Sequence, residues 1–141
     1  EGMFKGGFSY SSIFNHYIGG WDVSNVTDMS YMFYNCSNFD QDISNWNVKN
    51  VVQFSEMFTF ASSFWQPLQN WQLNHSIVSD NMFKNTSLSI IHYTALLNGW
   101  AHQSLVLKGV DLSAGHAQYN VNAENARNHL VMKYHWHILH K

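Results

Sequence analysis

Residues 21–46 read WDVSNVTDMSYMFYNCSNFDQDISNW, and a shift of 25 residues lays the following stretch on the same pattern. Trp21, Trp46 and Trp71 are equally spaced, as are the pairs Met32-Phe33, Met57-Phe58 and Met82-Phe83. Phe14, Phe39 and Phe64 keep the same step, with Ile18, Ile43 and Leu68, and with Val23, Val48 and Leu73. Five columns of bulky residues at one offset identify a tandem repeat, and periods of about 20–50 residues belong to solenoids and related stacked arrays.

Two periodicities run inside each unit. Met29, Met32, Phe33 and Cys36 stand at i, i+3, i+4 and i+7, which predicts one face of a short helix behind Thr27 and Asp28 as cap and first-turn acid. Phe54, Met57, Phe58 and Ala61 repeat it. Trp21-Asp22-Val23 and Trp46-Asn47-Val48 alternate like short strands with one buried side, and polar residues fill the corners. The predicted fold class is therefore an α/β repeat solenoid, leucine-rich-repeat-like, with a short strand and a short helix in each 25-residue coil. Such a coil buries its apolar side only by stacking on its neighbours.

The ends differ from the middle. Met3-Phe4 looks like the repeat's pair but lies ten residues before Phe14, where six is the rule. Either a four-residue insertion follows it or Gly7-Phe8 is the degenerate pair. From about Leu88 the repeat stops. Ile90, Tyr93, Leu97 and Trp100 mark a helix ending near Gln103; Val106 to Leu112 reads as a strand and Ser113-Ala114-Gly115 as a turn. Asn122 caps a second helix with Ala123, Ala126, Leu130 and Tyr134 on one face, and Trp136 and Ile138 alternate as a last strand. The organisation is thus a repeat region, 1–87, closed by a small α/β capping module, 88–141.

Composition narrows the function. The 141 residues are 45% hydrophobic but only 11% charged, with a formal net charge of -2 and no basic run. A nucleic-acid footprint needs clustered Lys and Arg, so that partner is not expected. No stretch approaches the ~18 apolar residues of a membrane span. The start at Glu1 rather than Met reads as a processed chain or a piece of a longer one. Cys36 is the only cysteine and aligns with Ala61 and Thr86, so it reads as a small packed side chain.

No phosphate-binding glycine loop and no strand–serine–helix elbow is present, and no enzyme activity or cofactor is expected. Nine histidines include His135, His137 and His140, whose imidazoles are metal-ligand types. No carboxylate or thiol lies near them in sequence, so they read as solvated or interface groups. Asp22, Asp28, Asp40 and Asp42 lack the spacing of a calcium loop and fit turns. Asn25, Asn35, Asn74 and Asn85 are candidate N-glycosylation acceptors. Phe8 and Phe14 at one end, with His135 and His137 at the other, form a candidate assembly interface.

With these residues in hand, the chain resembles the BspA-like surface-protein repeat family. The resemblance is carried by Trp21 to Ser30, Met32-Phe33, Cys36, Phe39, Gln41-Asp42-Ile43-Ser44 and Trp46. The tail is similar to that family's C-terminal module through Tyr93, Leu96-Leu97, Trp100, Gly115, Tyr119, Ala126-Arg127, Leu130, Trp136 and Ile138, with His135 where glycine often precedes the tryptophan. The resemblance implies a repeat scaffold at the cell surface or outside the cell, with no shared catalytic residues. The expected function is a non-enzymatic extracellular module for adhesion or for binding a protein or glycan. The alternative, of a different class, is a self-assembling filament subunit that stacks head to tail as a homo-oligomer.

Overall fold

The computed structural model describes residues 4–73, 77–103, 111–113 and 118–139. Among the described residues, helix and strand occur only late in the chain: α1 (Ile90–Ala101), β1 (Asp111–Ser113), a 3-10 turn (Val121–Ala123), α2 (Glu124–Tyr134) and β2 (His137–Leu139). The α/β repeat solenoid expected from the sequence is therefore not what forms. Residues 29–36 and 54–61 are turns rather than helices, and Trp21–Val23 and Trp46–Val48 pair in no strand. Isolated bridges, Asp28 to Gln53 and Gln53 to Val78, are the β pairing described in the repeats.

The backbone shows why the helix fails. Gly6, Tyr31, Glu56 and Asn81 stand 25 residues apart and all have φ between 54° and 66°. Tyr10, Asn35, Phe60 and Asn85 form a second such column, with φ between 56° and 62°. A left-handed residue at both ends of each Met-Phe segment cannot be accommodated in a right-handed helix. What forms instead is a run of overlapping turns, in which Met32, Tyr34 and Cys36 donate to the carbonyls of Met29, Tyr31 and Phe33. The i, i+3, i+4, i+7 pattern fits this run as well as it fits a helix, because three-residue turns also return side chains to one side.

The other N–H groups leave the layer. Tyr31, Phe33 and Asn35 donate to Ser55, Met57 and Thr59 at 3.0, 2.9 and 2.8 Å. Gly6, Phe8 and Tyr10 donate in the same way to Ser30, Met32 and Tyr34, and Glu56, Phe58 and Phe60 to Asp80, Met82 and Lys84. Residues of one layer thus bond those 24 positions later, and every left-handed residue in the first three layers uses its N–H for this purpose. A left-handed bulky residue is strained, and it persists where surrounding bonds over-determine it.

Side chains repeat the stacking. Phe8, Phe33, Phe58 and Phe83 are parallel rings 5.6 to 5.7 Å apart, so Gly7-Phe8 is the degenerate Met-Phe pair. Phe14, Phe39 and Phe64 form a second file beside it, at 5.7 and 5.8 Å. Within a layer the two files touch at 3.9 to 4.1 Å. The Trp indoles lock successive layers: Trp46 Nε1 donates to the Ile18 carbonyl and Trp71 Nε1 to that of Ile43, both at 3.0 Å. Gln41 and Gln66 clamp the edge by donating to Asn15 and Asp40 of the layer before. Met29, Met32, Met57 and Met82 are buried, as the sequence pattern requires of an inward column.

The C-terminal module takes the place of a further layer. Ser89 caps α1 by accepting from the His92 N–H at 3.3 Å. Trp100, on α1, donates Nε1 to the Leu68 carbonyl at 3.0 Å, which continues the indole series although it lies four residues past the repeat position. Gly99 permits this approach, since a Cβ there would stand 2.4 Å from the Gln69 carbonyl oxygen. Gln103 donates to the Trp71 carbonyl and accepts from the Leu73 N–H. Behind α1 lies α2, and β1 pairs parallel with β2, Leu112 opposite Ile138. Trp136 packs on Trp100 at 6.4 Å. The chain turns into β2 at His135, φ 58°, and the Trp136 N–H returns to the Leu130 carbonyl at 3.1 Å. Glycine is the usual residue at such a helix end. The strand expected at Val106 to Leu112 and the turn at Ser113 to Gly115 fall largely outside the described residues.

Two outcomes follow from this packing. Trp71→Phe removes the donor to the Ile43 carbonyl in a buried setting and should cost about 1–3 kcal/mol, whereas Trp21→Phe should be close to neutral; denaturant titration of both variants measures the difference. Glu56→Gly should raise stability by about 0.5–1 kcal/mol by relieving the left-handed strain, less the entropy glycine adds to the unfolded chain. A lower melting temperature for Glu56→Gly would show that the Glu56 side chain, not its backbone, matters there.

Candidate functional site

Three surfaces stand out, and the first is the face of the first layer. Phe4, Phe8 and Phe14 are half-buried against the core, while Tyr10, Ile13, Tyr17 and Trp21 are exposed. Phe8 and Phe14 are brought together, ring on ring at 3.9 Å. His135 and His137 are exposed on the C-terminal module, beyond Trp100 and so at the other end of the stack. Within one molecule the four residues of the candidate assembly interface therefore do not meet. His140 lies outside the described residues.

The second surface was not anticipated from the sequence. Tyr10, Tyr31, Tyr34 and Phe60 line one outer edge across three layers, with ring centroids 5.3 Å apart for Tyr10–Tyr34, 5.7 Å for Tyr31–Tyr34 and 6.0 Å for Tyr34–Phe60. Tyr10 is 69% exposed, and Tyr31 and Phe60 are 40% and 41% exposed. Burial pushes the Tyr34 hydroxyl upward, and the neighbouring Tyr10 adds to the shift. These rings fall in three repeat columns, none of them aromatic throughout, so a search for matched columns passes over them. The available signal was that each stands just outside a Met-Phe pair, on the side of the turn opposite the core.

The third surface is in the cap. A cleft of about 490 Å3 between α1 and α2 is lined by Asn98, Ala101, His102, Asn122, Asn125, Ala126 and His129. His102 Nδ1 lies 2.6 Å from the Asn98 carbonyl, a pairing in which that nitrogen carries the proton. Amides and imidazoles line this cleft, and no carboxylate does.

The acidic residues serve the turns. Asp22 accepts from the Ser24 hydroxyl and N–H, and Asp42 from the Ser44 N–H; the serine partners hold both carboxyls below their ordinary range. Asp28 accepts from the Ser30 N–H at 2.8 Å and lies 3.7 Å from Lys5 Nζ. Asp40 accepts from Trp65 and Gln66 of the following layer. Among the described residues no group of three or more His, Cys, Asp or Glu side chains converges as a metal site. No described helix is long and apolar enough to cross a membrane. Asn25 and Asn35 are exposed and Asn85 is half-buried, while Asn74 lies outside the described residues.

Cys36 is fully buried and its Sγ donates to the Phe8 carbonyl at 2.8 Å. Burial pushes the thiol up to about 11. A raised acid pKa favours the protonated, folded form, so the contribution is intact below about pH 9 and is lost as pH rises towards 11. Stability should therefore fall through this window. Cys36→Ala, which reproduces the residue at position 61, should flatten the decline between pH 9 and 10; an unchanged slope in chemical denaturation would assign the decline to other groups.

A family model described as "Mycoplasma protein of unknown function, DUF285" matches residues 2–95. The chain belongs to this family, which is linked to surface proteins. Comparison with curated proteins and with solved structures finds no match to the chain.

Proposed function

We propose that this member of the DUF285 family is a non-catalytic binding module of the BspA-like kind, displayed outside the cell, that holds a protein or glycan on its aromatic edge. The observation that supports this most directly is the row in which exposed Tyr10, Tyr31 and Phe60 flank half-buried Tyr34 on a chain poor in charge. Aromatic rings offer large apolar contact area at little cost in side-chain entropy, and tyrosine adds a hydroxyl for hydrogen bonding. Asn35 and Asn85, beside the rings in the second left-handed column, supply amides. The layers beneath hold the row rigid, so little ordering is needed when a ligand arrives. The family's link to surface proteins and the resemblance of Trp21 to Trp46 point to the same setting.

The test is binding of the intact chain to a glycan array and to host-cell surface protein, beside a Tyr10→Asn/Tyr34→Asn/Phe60→Asn variant. Asparagine tolerates the left-handed backbone at positions 10 and 60, as Asn35 and Asn85 show in the same column. The melting temperature should stay within a few degrees of wild type. Affinity for any ligand captured should fall at least about tenfold, which corresponds to about 1.4 kcal/mol. Retained affinity in a folded variant would move the binding surface elsewhere.

A further inference from the structure

The two left-handed columns of the repeats hold two kinds of residue. Gly6, Asn35, Asn81 and Asn85 are types that accept this backbone readily. Tyr10, Tyr31, Glu56 and Phe60 are not, and they are not scattered. Tyr10, Tyr31 and Phe60 each place a ring 5.3 to 6.0 Å from the ring of Tyr34. The Glu56 carboxylate is near as well: after burial and Tyr10, it is the next group that pushes the Tyr34 hydroxyl up. The disfavoured left-handed residues of the repeats are thus gathered around one side chain, and strain of this kind collects at sites that bind or react.

Tyr34 itself gives up a bond. Ser9 Oγ donates to the Tyr31 carbonyl and Thr59 Oγ1 to the Asn81 carbonyl, each tying down a left-handed residue of the following layer. Tyr34 stands between Ser9 and Thr59 in that column, and among the described residues its hydroxyl makes no such bond to Glu56. Stacking asks for a small hydroxyl at position 34 and for glycine or asparagine at 10, 31, 56 and 60. Four rings and a carboxylate stand there instead.

The chemistry of this cluster is one-sided. Aromatic faces carry the negative part of the ring quadrupole. Half-exposed Glu56 adds a carboxylate that enters no ion pair or side-chain hydrogen bond among the described residues. Lys5 is engaged with Asp28, and Lys84 lies two layers beyond Tyr34 in its column. The planes of Tyr10, Tyr31 and Phe60 meet that of Tyr34 at 63°, 60° and 88°. They form walls at differing angles, not the level platform on which a sugar ring lies flat.

We propose that Tyr31, Tyr34, Phe60 and Glu56 form a receptor for an arginine side chain of a partner protein, its guanidinium against a ring and its N–H fork on the Glu56 carboxylate. Arginine meets both demands, because its planar cation stacks on aromatic faces and pairs with a carboxylate through two N–H groups. The assignment rests on the aromatic edge being the binding surface, and it chooses protein over glycan there.

The test follows the backbone amide shifts of the isotope-labelled full chain during titration with a capped Gly-Arg-Gly peptide. A second titration uses the same peptide with citrulline, the neutral isostere of arginine. The arginine peptide should give saturable shifts at Tyr31, Tyr34 and Phe60 that weaken with added salt. The citrulline peptide should bind at least about fivefold more weakly, and Glu56→Gln should lower arginine affinity by a similar factor without changing the melting temperature. Glu56→Gly should melt higher yet bind arginine no better than Glu56→Gln, which separates relief of strain from recognition. Equal affinity for citrulline, or an affinity untouched by Glu56→Gln, would overturn the arginine receptor and leave the edge as a binding surface. Ring residues that respond to neither peptide would overturn it too. The triple asparagine variant then reads separately whether the edge holds any ligand.

Discussion

Alternate backbone N–H groups point along the stack while their neighbours turn back within the layer, and the rest of the molecule is arranged around that division. It fixes where the left-handed residues fall, because the N–H of Tyr31 or Glu56 reaches the next layer only when the chain reverses there. It also fixes the spacing of the core. Interlayer hydrogen bonds of 2.7 to 3.0 Å in these segments bring equivalent rings to 5.6 to 5.8 Å, so the phenylalanine files pack as a consequence of the backbone ladder. Apolar burial supplies most of the driving force, and the ladder supplies the geometry in which burial is complete.

The sequence made the repeat, its period and the buried columns legible because each depends on residue type at one offset. Met57, Phe58, Phe64 and Trp71 could be placed inside from the pattern alone, and α1 and α2 from their apolar spacing, although Asn122 does not cap α2: Asn120 caps the 3-10 turn before it by accepting from the Asn122 N–H. The conformation of each unit was not legible. A helix face and a run of turns demand nearly the same apolar positions, and the residues that decide between them are unhelpful by type. Tyr31, Glu56 and Phe60 occupy left-handed backbone that composition would assign to glycine or asparagine; only Gly6, Asn35, Asn81 and Asn85 advertise it. Tertiary bonds set these angles, and a local reading has no access to them.

The aromatic edge was hidden for a related reason. Matching columns finds what must be repeated for stacking, and a surface that serves binding is under no such requirement. Tyr10 and Phe60 share a column with Asn35 and Asn85, while Tyr34 shares one with Ser9, Thr59 and Lys84. The edge becomes a row only after the turns have placed columns 9 and 10 of adjacent layers side by side. The proposed binding edge thus lies where the repeat is broken on an exposed face, and the stacking residues where it is kept.

The same contrast explains the cap. Trp100 performs the duty of the next tryptophan in the series, yet it reaches the Leu68 carbonyl from a helix and across 32 residues, where the repeat would use 28. A helix satisfies its interior N–H and carbonyl groups within itself, so it covers a layer without presenting another ladder edge to the solvent. Glycine at position 99 lets that helix approach the Gln69 backbone, and Gln103 pairs two groups that α1 leaves unmet. Replacing a layer by a helix is therefore the step that converts an open stack into a closed one.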